Sequence, residues 1–229
     1  MNARTRDKYE RIAAIFDILD IPSEIIGKRP LRKAICQGVS GRVLEAGIGT
    51  GLNIPYYPHD CELHGTDLSG GMLAVAAKRA EKLGRTVHLR EMDVCDMSGY
   101  PDAHFDVVIA TFVLCAVRPH QLKAMKELAR ICKPGGEIRW LDYSLSREPV
   151  KRLMMRAWSP WISYVYGASY DNRFEDLTEA AGLEVLDERY VLKDMVKLFV
   201  ARPQNGHARN GAGNGAHRHA PDATQRANA

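Results

Sequence analysis

The stretch Val43-Leu-Glu-Ala-Gly-Ile-Gly-Thr-Gly-Leu-Asn53 decides the fold. Its apolar start predicts the end of a buried strand, and Glu45 places a carboxylate at the carboxyl end of that strand. Gly47, Gly49 and Gly51 follow at a spacing of two residues, and a short helix is expected after them. A strand, a glycine turn and a helix start typically form a ligand crevice at the edge of a parallel sheet. Glycine suits the turn because it adopts positive φ and lets a ligand lie against bare backbone.

The residues around these glycines exclude two common nucleotide-binding loops. A Walker loop ends in Gly-Lys-Ser/Thr, and this stretch contains no lysine. A dinucleotide fingerprint places its third glycine where Leu52 stands, and a pyrophosphate gains nothing from the Glu45 carboxylate beside it. A cationic adenosine ligand without phosphate is compatible with that carboxylate. The alternative is a glycine turn that binds no ligand.

Length and composition are those of an ordinary α/β domain. Hydrophobic residues make up 45% and charged residues 26% of the 229 residues, and the formal net charge is +4. The chain has no run of about eighteen apolar residues and no apolar segment near its charged N-terminus, so we expect neither a membrane span nor a secretory signal. Five scattered cysteines form no disulfide or metal-binding pattern. These features favour a cytoplasmic location and no bound metal.

Two further acidic residues follow predicted strands. The strand at 62–66 ends at Asp67, twenty residues after Gly47, which is the spacing at which a crevice carboxylate binds ribose hydroxyls. An acid at this point is also a common helix cap. After the strand at 87–90, Asp93 is placed to accept the amino group of an adenine ring. Asp96 competes for that role, and the apolar residues expected to enclose the ring are Met92 and Val94.

The second half of the chain predicts the rest of a sheet. The segment 105–110 is nearly all apolar, so we expect a strand that is buried on both faces, with Thr111 past its end over the crevice. A helix at 118–132 and the turn Lys133-Pro-Gly-Gly136 lead to a fifth strand at 137–142. Strands at 183–191 and 195–202 are joined by a short connection, which predicts that the last strand is antiparallel.

The glycine motif and the Lys-Pro-Gly-Gly turn together resemble class I S-adenosylmethionine-dependent methyltransferases over about residues 40–145. The resemblance implies a Rossmann-like α/β fold, with a seven-stranded sheet, an antiparallel last strand and helices on both faces. It also implies S-adenosylmethionine as cofactor and S-adenosylhomocysteine as product. The residues expected to bind the cofactor are Glu45, Gly47, Gly49, Thr50, Gly51, Asn53, Asp67, Leu68, Ser69, Met72, Met92, Asp93, Val94 and Thr111.

Two flanking segments mix cationic and aromatic residues. Apolar residues recur at helical spacing over residues 5–20 among several arginines and lysines, and a second short helix is expected after Pro30. The segment 147–173 holds two of the three tryptophans together with arginines and methionines. Such a mixture suits the boundary between water and a bilayer. The alternatives are a solvated helix and a subdomain that closes a small-molecule pocket, and the modest charge ranks a nucleic-acid partner below both.

The sequence Thr111-Phe-Val-Leu-Cys115 and these flanking segments resemble bacterial phosphatidylethanolamine N-methyltransferases, with ubiquinone/menaquinone C-methyltransferases as close relatives. The resemblance implies a peripheral membrane enzyme that methylates ethanolamine headgroups stepwise toward phosphatidylcholine on anionic membranes, with no nucleic-acid partner. Related chains often carry histidine where Ala116 stands, so no general base is transferred to that position. The residues expected to contact lipid are Arg147, Lys151, Arg152, Trp158, Tyr164, Tyr170 and Arg173.

An ammonium headgroup must lose its proton before it attacks a methyl group. The residues considered for catalysis are Tyr9, Asp142 and Tyr143. A tyrosine with a pKa near 10 is an inefficient base at neutral pH, so orientation and cation–π contact suit the two tyrosines better. Alternatives are a soluble enzyme that methylates a quinone precursor or a thiol, and a non-catalytic cofactor- or membrane-binding protein of the same fold.

The predicted organisation has one core with additions. We expect N-terminal helices or a lid at 1–37, a cofactor-binding core at 38–146, a helical aromatic insertion at 147–182, the last two core strands at 183–202 and a disordered tail at 203–229. The tail is expected to be disordered because it contains too few apolar residues to form a core.

Overall fold

The computed structural model describes residues 3–13, 15–170, 172 and 174–204. The strands are β1 (Arg42–Ala46), β2 (Glu62–Asp67), β3 (Val87–Glu91), β4 (Phe105–Thr111), β5 (Cys132–Tyr143), β6 (Leu183–Leu192) and β7 (Val196–Pro203). The helices are α1 (Ala3–Ile12), α2 (Phe16–Ser23), α3 (Arg29–Cys36), α4 (Gly70–Lys82), α5 (Gln121–Ile131), α6 (Pro149–Tyr166) and α7 (Glu175–Thr178). A π-helical turn at Glu24–Lys28 and 3₁₀ turns at Ile54–Tyr56 and Leu114–Ala116 complete the regular structure.

The strands form a seven-stranded sheet in the order β3-β2-β1-β4-β5-β7-β6. Strands β1 to β5 pair in parallel, and β7 pairs antiparallel with both β5 and β6. The predicted α/β fold with an antiparallel last strand is therefore confirmed. Because the order reverses between β1 and β4, the crevice at the carboxyl ends of these two strands is where ligands bind in open α/β sheets.

Alternate residues of the strands contribute side chains to hydrophobic clusters on opposite faces of the sheet. Val43 of β1 packs in a cluster with Leu31 and Ile35 of α3. Leu44, the next residue, packs in a cluster with Met125 and Leu128 of α5. Successive side chains of a strand point to opposite faces, so helices cover both sides of the sheet, as predicted.

Local sequence explains where several elements begin and end. Ser69 caps α4, because its Oγ accepts a hydrogen bond from the Met72 backbone N–H at 3.1 Å. Helix α6 begins at Pro149 and ends at Tyr166, and Gly167 caps it in the left-handed conformation. A Cβ on Gly136 would lie 2.7 Å from the Asp106 carbonyl oxygen, so the Lys-Pro-Gly-Gly turn needs glycine to pack against β4.

The structure corrects three predicted boundaries. The helix expected over 5–20 is two helices, α1 and α2, and Pro22 lies within α2 instead of ending it earlier. The Lys133–Gly136 turn lies inside β5, which pairs with β4 from Cys132 onward with a register shift. Pro203, placed in the tail, is the last residue of β7; the rest of the predicted tail, from residue 205, lies outside the described residues.

None of the helices in the described ranges is both long enough and apolar enough to cross a membrane. Helix α6 instead presents large apolar side chains to solvent. These apolar side chains are Val150, Leu153, Met154 and Trp158, which are 60–71% exposed. Ile15, Ile18 and Ile21 in and beside α2 are also exposed.

Candidate functional site

The carboxyl edge of the parallel strands collects polar side chains from four strands. Glu45 lies at the end of β1, Asp67 ends β2 and Thr111 ends β4. Asp142 is the last residue but one of β5. The parallel register of these strands brings their carboxyl ends to one crevice, as the sequence predicts.

The glycines after β1 all have positive φ but meet different surroundings. Their φ values are 71° at Gly47, 56° at Gly49 and 79° at Gly51. A Cβ would lie 2.4 Å from Val113 at Gly47 and 2.5 Å from Ile54 at Gly51, so these two glycines are required by packing within the protein. A Cβ on Gly49 would meet nothing within 4 Å. Open space beside the backbone at Gly49 therefore fits the close ligand approach expected for this loop.

Glu45 is buried in a hydrogen-bonded network. The Asn53 amide donates to one of its carboxylate oxygens, and the Tyr57 hydroxyl donates to the other at 3.0 Å. Arg32 donates to the Asn53 carbonyl oxygen at 3.1 Å, and Asn53 also donates to Thr111 Oγ1 at 2.9 Å. Burial raises the pKa of Glu45 to about 7, against the opposing effect of the Arg32 guanidinium. A cationic ligand would favour the charged form of this carboxyl.

Asp67 joins the glycine loop to the start of α4. Its carboxylate accepts hydrogen bonds from the Gly49 N–H at 2.9 Å and the Ser69 N–H at 3.0 Å. Burial raises its pKa above the ordinary value despite these bonds. Each oxygen receives one backbone donor and keeps capacity for one hydroxyl donor, which is what a ribose diol supplies. Leu68 beside it is half-buried, and Met72 is fully buried.

The residues predicted to hold adenine lie after β3. The Asp93 carboxylate accepts a hydrogen bond from the Cys95 N–H at 2.8 Å and is half-buried, whereas Asp96 is exposed. Val94 is buried in the cluster of the α5 face, and Met92 packs against that cluster. The two residues therefore contact the core, and their enclosure of a ring stays a prediction.

Helices α1 and α2, which we call the lid, are tied to the crevice by polar contacts. Glu10 accepts hydrogen bonds from the Ser69 hydroxyl at 2.6 Å and from the Gly71 N–H at 3.0 Å. Asp17 accepts a hydrogen bond from the Thr50 hydroxyl at 2.6 Å and forms an ion pair with Arg79. Thr50 and Ser69, both predicted to bind cofactor, thus also hold the lid closed.

Asp142 is a buried acid on the β5 side of the crevice. It is 1% exposed and accepts a hydrogen bond from the Cys115 N–H at 2.9 Å. Burial raises the pKa of Asp142 to about 7. The lid residue Tyr9 lies within electrostatic reach of both Asp142 and Asp67, and burial raises its pKa above the ordinary value. The pKa of Asp142 therefore suits a group that accepts a proton at neutral pH. Tyr9, another candidate proton acceptor, stays protonated at this pH because its pKa is raised.

An aromatic cluster adjoins Asp142. The Phe112 and Tyr143 ring centroids lie 4.9 Å apart, and Tyr170 meets Tyr143 edge-on at 5.2 Å. The Lys28 ammonium lies 4.8 Å from the Phe112 centroid and 6.0 Å from the Tyr143 centroid. Phe112 has a φ of 57°, which non-glycine residues rarely adopt and which is found disproportionately at functional sites. The cluster is thus a site where aromatic rings already hold a cation.

The residues predicted to contact lipid divide into two groups. Tyr170 belongs to the aromatic cluster and lines a cavity of about 350 Å³ together with Arg156, Ser159 and Ser163 of α6. Trp158 is 60% exposed on the outer surface. The cations hold protein partners: Lys151 pairs with Glu148, Arg152 donates to the Arg147 carbonyl and Arg147 lies over the Tyr190 ring. Tyr164 belongs to α6, and Arg173 lies outside the described residues.

A set of metal-ligand side chains lies away from the crevice, on β2 and β3. Ligand atoms of Glu62, His64 and His88 lie within 4.8 Å of one another. His64 and His88 are register partners on neighbouring strands, which explains their proximity. The Arg42 guanidinium contacts Glu62 at 3.1 Å and already neutralises that carboxylate. The absence of a bound metal stays a prediction; this set could not be recognised in the sequence because cross-strand register is not visible in spacing alone.

Sequence reasoning also missed Lys28, Phe112, Glu10 and Asp17. Phe112 carried one available signal, because it directly follows Thr111 at the end of a strand. Lys28 directly precedes a basic helix, where a solvated charge is expected from the sequence, yet it is buried. The lid contacts of Glu10 and Asp17 join residues more than thirty positions apart, and no local pattern encodes them.

Comparisons with known proteins agree with this geometry. A family model described as a methyltransferase domain matches residues 44–139. The chain is 42% identical over 136 residues to a phosphatidylethanolamine N-methyltransferase of Cereibacter sphaeroides, covering 58% of this chain and 66% of the relative. It is 27% identical over 152 residues to a ubiquinone/menaquinone biosynthesis C-methyltransferase of Bdellovibrio bacteriovorus, covering 63% of this chain and 64% of the relative.

The solved structures agree at the level of the fold. An O-methyltransferase family protein from Burkholderia thailandensis superposes with a TM-score of 0.69 at 18% identity, covering 86% of this chain and 60% of that one. The chain spans just under two thirds of the length of the two curated relatives described above.

Proposed function

Because the chain belongs to the class I S-adenosylmethionine-dependent methyltransferases, we propose that it methylates the amine of phosphatidylethanolamine and of its partly methylated forms at a membrane surface. The observation that carries the lipid assignment is the 42% identity to a phosphatidylethanolamine N-methyltransferase. The second relative acts in quinone biosynthesis and is only 27% identical. It therefore supports the assignment to a methyltransferase family more than it supports a quinone precursor as the methyl acceptor.

The crevice residues fit the proposed cofactor. Glu45 offers a carboxylate to a cationic ligand end, and Asp67 offers one to a ribose diol. The open space at Gly49 admits a ligand against the backbone. When bound, S-adenosylmethionine supplies an electrophilic methyl group on a positively charged sulfur. Alignment of the acceptor with that methyl and exclusion of water account for most of the acceleration in such transfers.

The acceptor side fits an amine that must be deprotonated. Asp142, with a pKa of about 7, accepts the proton of an ammonium group, directly or through water, and is close to half-ionised at neutral pH. The lid contacts of Glu10 and Asp17 close the crevice and keep bulk water from the reacting groups. Tyr9, protonated and within electrostatic reach of Asp67 and Asp142, is suited to donate a hydrogen bond that orients a ligand.

The outer surface supports a lipid acceptor. Leu153, Met154 and Trp158 of α6 are 60–70% exposed, on the same helix as Lys151 and Arg152. Exposed apolar side chains beside cations are typical of a helix that lies in an anionic membrane interface. A cavity lies between α6, which contributes Arg156 and Ser159, and Tyr170, which follows the helix. The guanidinium and hydroxyl donors of this cavity suit a headgroup phosphate.

A soluble acceptor, such as a quinone precursor or a thiol, is the second candidate, and the relative in quinone biosynthesis favours it. A cofactor- or membrane-binding protein without activity is the third. The test is transfer of labelled methyl groups to phosphatidylethanolamine in anionic vesicles, with a soluble amine, a demethylquinone and a small thiol in parallel. Labelled lipid alone supports the proposal. Label in a soluble acceptor alone would replace it, and cofactor binding without transfer to any acceptor favours the third candidate.

A further inference from the structure

The structure places a cation of the protein where an acceptor cation would be recognised. Lys28 is 9% exposed, and its ammonium lies 4.8 Å from the centroid of the Phe112 ring. Arg32 also approaches this ring, with its guanidinium carbon at 6.0 Å. Burial of an ammonium group is costly unless aromatic faces or anions compensate for the lost hydration. The ring faces of Phe112 and Tyr143 supply part of this compensation to Lys28.

The aromatic rings and the buried acid lie at the same end of β5. Tyr143 is adjacent to Asp142 in β5, and its backbone N–H donates to the Asp142 carboxylate at 2.8 Å. The Cys115 N–H holds the other oxygen of that carboxylate, and Lys28 acts electrostatically on the Cys115 thiol. The Phe112 N–H donates to the Leu141 carbonyl at 2.8 Å, which fixes the strained Phe112 backbone beside β5. Ring faces that already contact a cation suit a group of formula R–N⁺(CH₃)ₙ.

We propose that the ring faces of Phe112 and Tyr143, next to Asp142, bind the ammonium group of the acceptor, and that Lys28 occupies this site as an internal competitor. The inference rests on the proposed function in one respect, that the acceptor is an amine. It adds the residues that recognise the amine and a residue that limits access to them.

Occupation by Lys28 lowers the apparent affinity for an external ammonium group. The apparent dissociation constant equals the intrinsic one divided by the fraction of molecules in which the lysine has left the site. Lys28 is the last residue of the π-helical turn that joins the lid to α3. Movement of Lys28 out of the aromatic site would therefore involve the segment that connects to the lid. A cation–π contact of ordinary strength corresponds to about a fivefold effect on binding. Added methyl groups cannot donate hydrogen bonds to competing acceptors, so the aromatic site favours methylated amines.

The probe is choline, titrated by calorimetry into full-length protein saturated with S-adenosylhomocysteine. Lys28→Met should bind choline about fivefold more tightly than the unaltered chain, and Lys28→Arg should match the unaltered chain because the cation is retained. Phe112→Leu should weaken binding about fivefold, and Phe112→Tyr should keep it. Lys33→Met, an exposed lysine of α3, is the matched control and should change nothing. The neutral isostere 3,3-dimethylbutanol separates charge recognition from apolar packing. It should bind more weakly than choline in every variant, and it should also gain affinity in Lys28→Met, because an unoccupied site favours any ligand that binds there.

Equal choline affinity for Lys28→Met and the unaltered chain would overturn the proposal, as would an unchanged choline affinity in Phe112→Leu. Affinity for S-adenosylhomocysteine, measured on each variant, shows that the fold is intact. The outcome is separate from that of the lipid assay. Choline binding with the expected variant pattern but no lipid methylation would reject the lipid assignment alone, and lipid methylation without that pattern would reject the ammonium site alone.

Discussion

At the residue scale, buried carboxyls define the chemistry of the crevice. Glu45, Asp67 and Asp142 each lie at or near the carboxyl end of a parallel strand, and burial raises the pKa of all three. Raised carboxyl pKa values at a crevice are typical of functional sites, since a fold has no need of buried acids for stability. We propose that Glu45 and Asp67 act on the cofactor side and Asp142 on the acceptor side.

Replacing Asp142 by asparagine removes the proposed proton acceptor while preserving its shape. Because its pKa is raised to about 7, the unaltered enzyme should gain kcat/KM as pH rises through about 7, where the carboxyl loses its proton. Asp142→Asn should lower kcat/KM about a hundredfold and abolish this rise. Rates of methyl transfer between pH 6 and pH 9 test this, with the exposed Asp60→Asn as control. An unchanged pH profile in Asp142→Asn would show that another group accepts the proton.

Asp67→Asn tests the ribose assignment without emptying the site. The asparagine amide has one acceptor oxygen in place of the two carboxylate oxygens, so it cannot accept both backbone hydrogen bonds and also bind the ribose diol as well as aspartate does. Affinity for S-adenosylhomocysteine should therefore fall by about tenfold or more. Calorimetry measures it, with Glu81→Gln, an exposed acid of α4, as control. Unchanged affinity at an unchanged melting temperature would remove the ribose role.

At the element scale, the sequence predicted the sheet better than the segments that cover it. Glu45, Asp67 and Thr111 could be placed because each lies at the end of a predicted strand, and parallel strands end at one edge. The break between α1 and α2 could not be predicted, because both pieces continue one helical pattern and the contacts of Glu10 and Asp17 decide their positions. Helix periodicity is local, whereas lid docking depends on tertiary contacts.

Loosening the lid should affect cofactor release more than the fold. In the variant Glu10→Gln with Asp17→Asn, the contacts to Ser69 and Arg79 lose their charge. We expect S-adenosylhomocysteine to dissociate several times faster, since charge-assisted hydrogen bonds are about twice as strong as neutral ones. Stopped-flow displacement measures this rate, and Asp7→Asn, an exposed residue of α1, is the control. Equal dissociation rates in the double variant and the control would contradict a closing role for the lid.

At the scale of the whole molecule, the exposed apolar residues of α6 set the proposed orientation on a membrane. The cationic and aromatic mixture of segment 147–173 predicted a surface suited to the water–bilayer boundary, and α6 does expose Leu153 and Trp158. The sequence could not predict that Tyr170 turns toward Tyr143 instead, because that contact depends on how the segment returns to β5. The insertion thus contributes both to the outer surface and to the crevice.

Leu153→Ser with Trp158→Ser should weaken binding to anionic vesicles about tenfold or more, because each side chain contributes buried apolar area in an interface. Affinity for S-adenosylhomocysteine should not change, since both residues are exposed. Vesicle sedimentation measures binding, and Leu83→Ser, an exposed leucine after α4, is the control. Equal binding by the double variant and the control would exclude α6 as the membrane contact.

The most direct test of the central claim is methyl transfer from labelled S-adenosylmethionine to phosphatidylethanolamine in anionic vesicles, resolved by lipid chromatography. The account predicts labelled mono-, di- or trimethylated lipid, with transfer reduced by Asp142→Asn. Tight cofactor binding by the same sample, with no labelled lipid and label instead in a soluble acceptor, would contradict it.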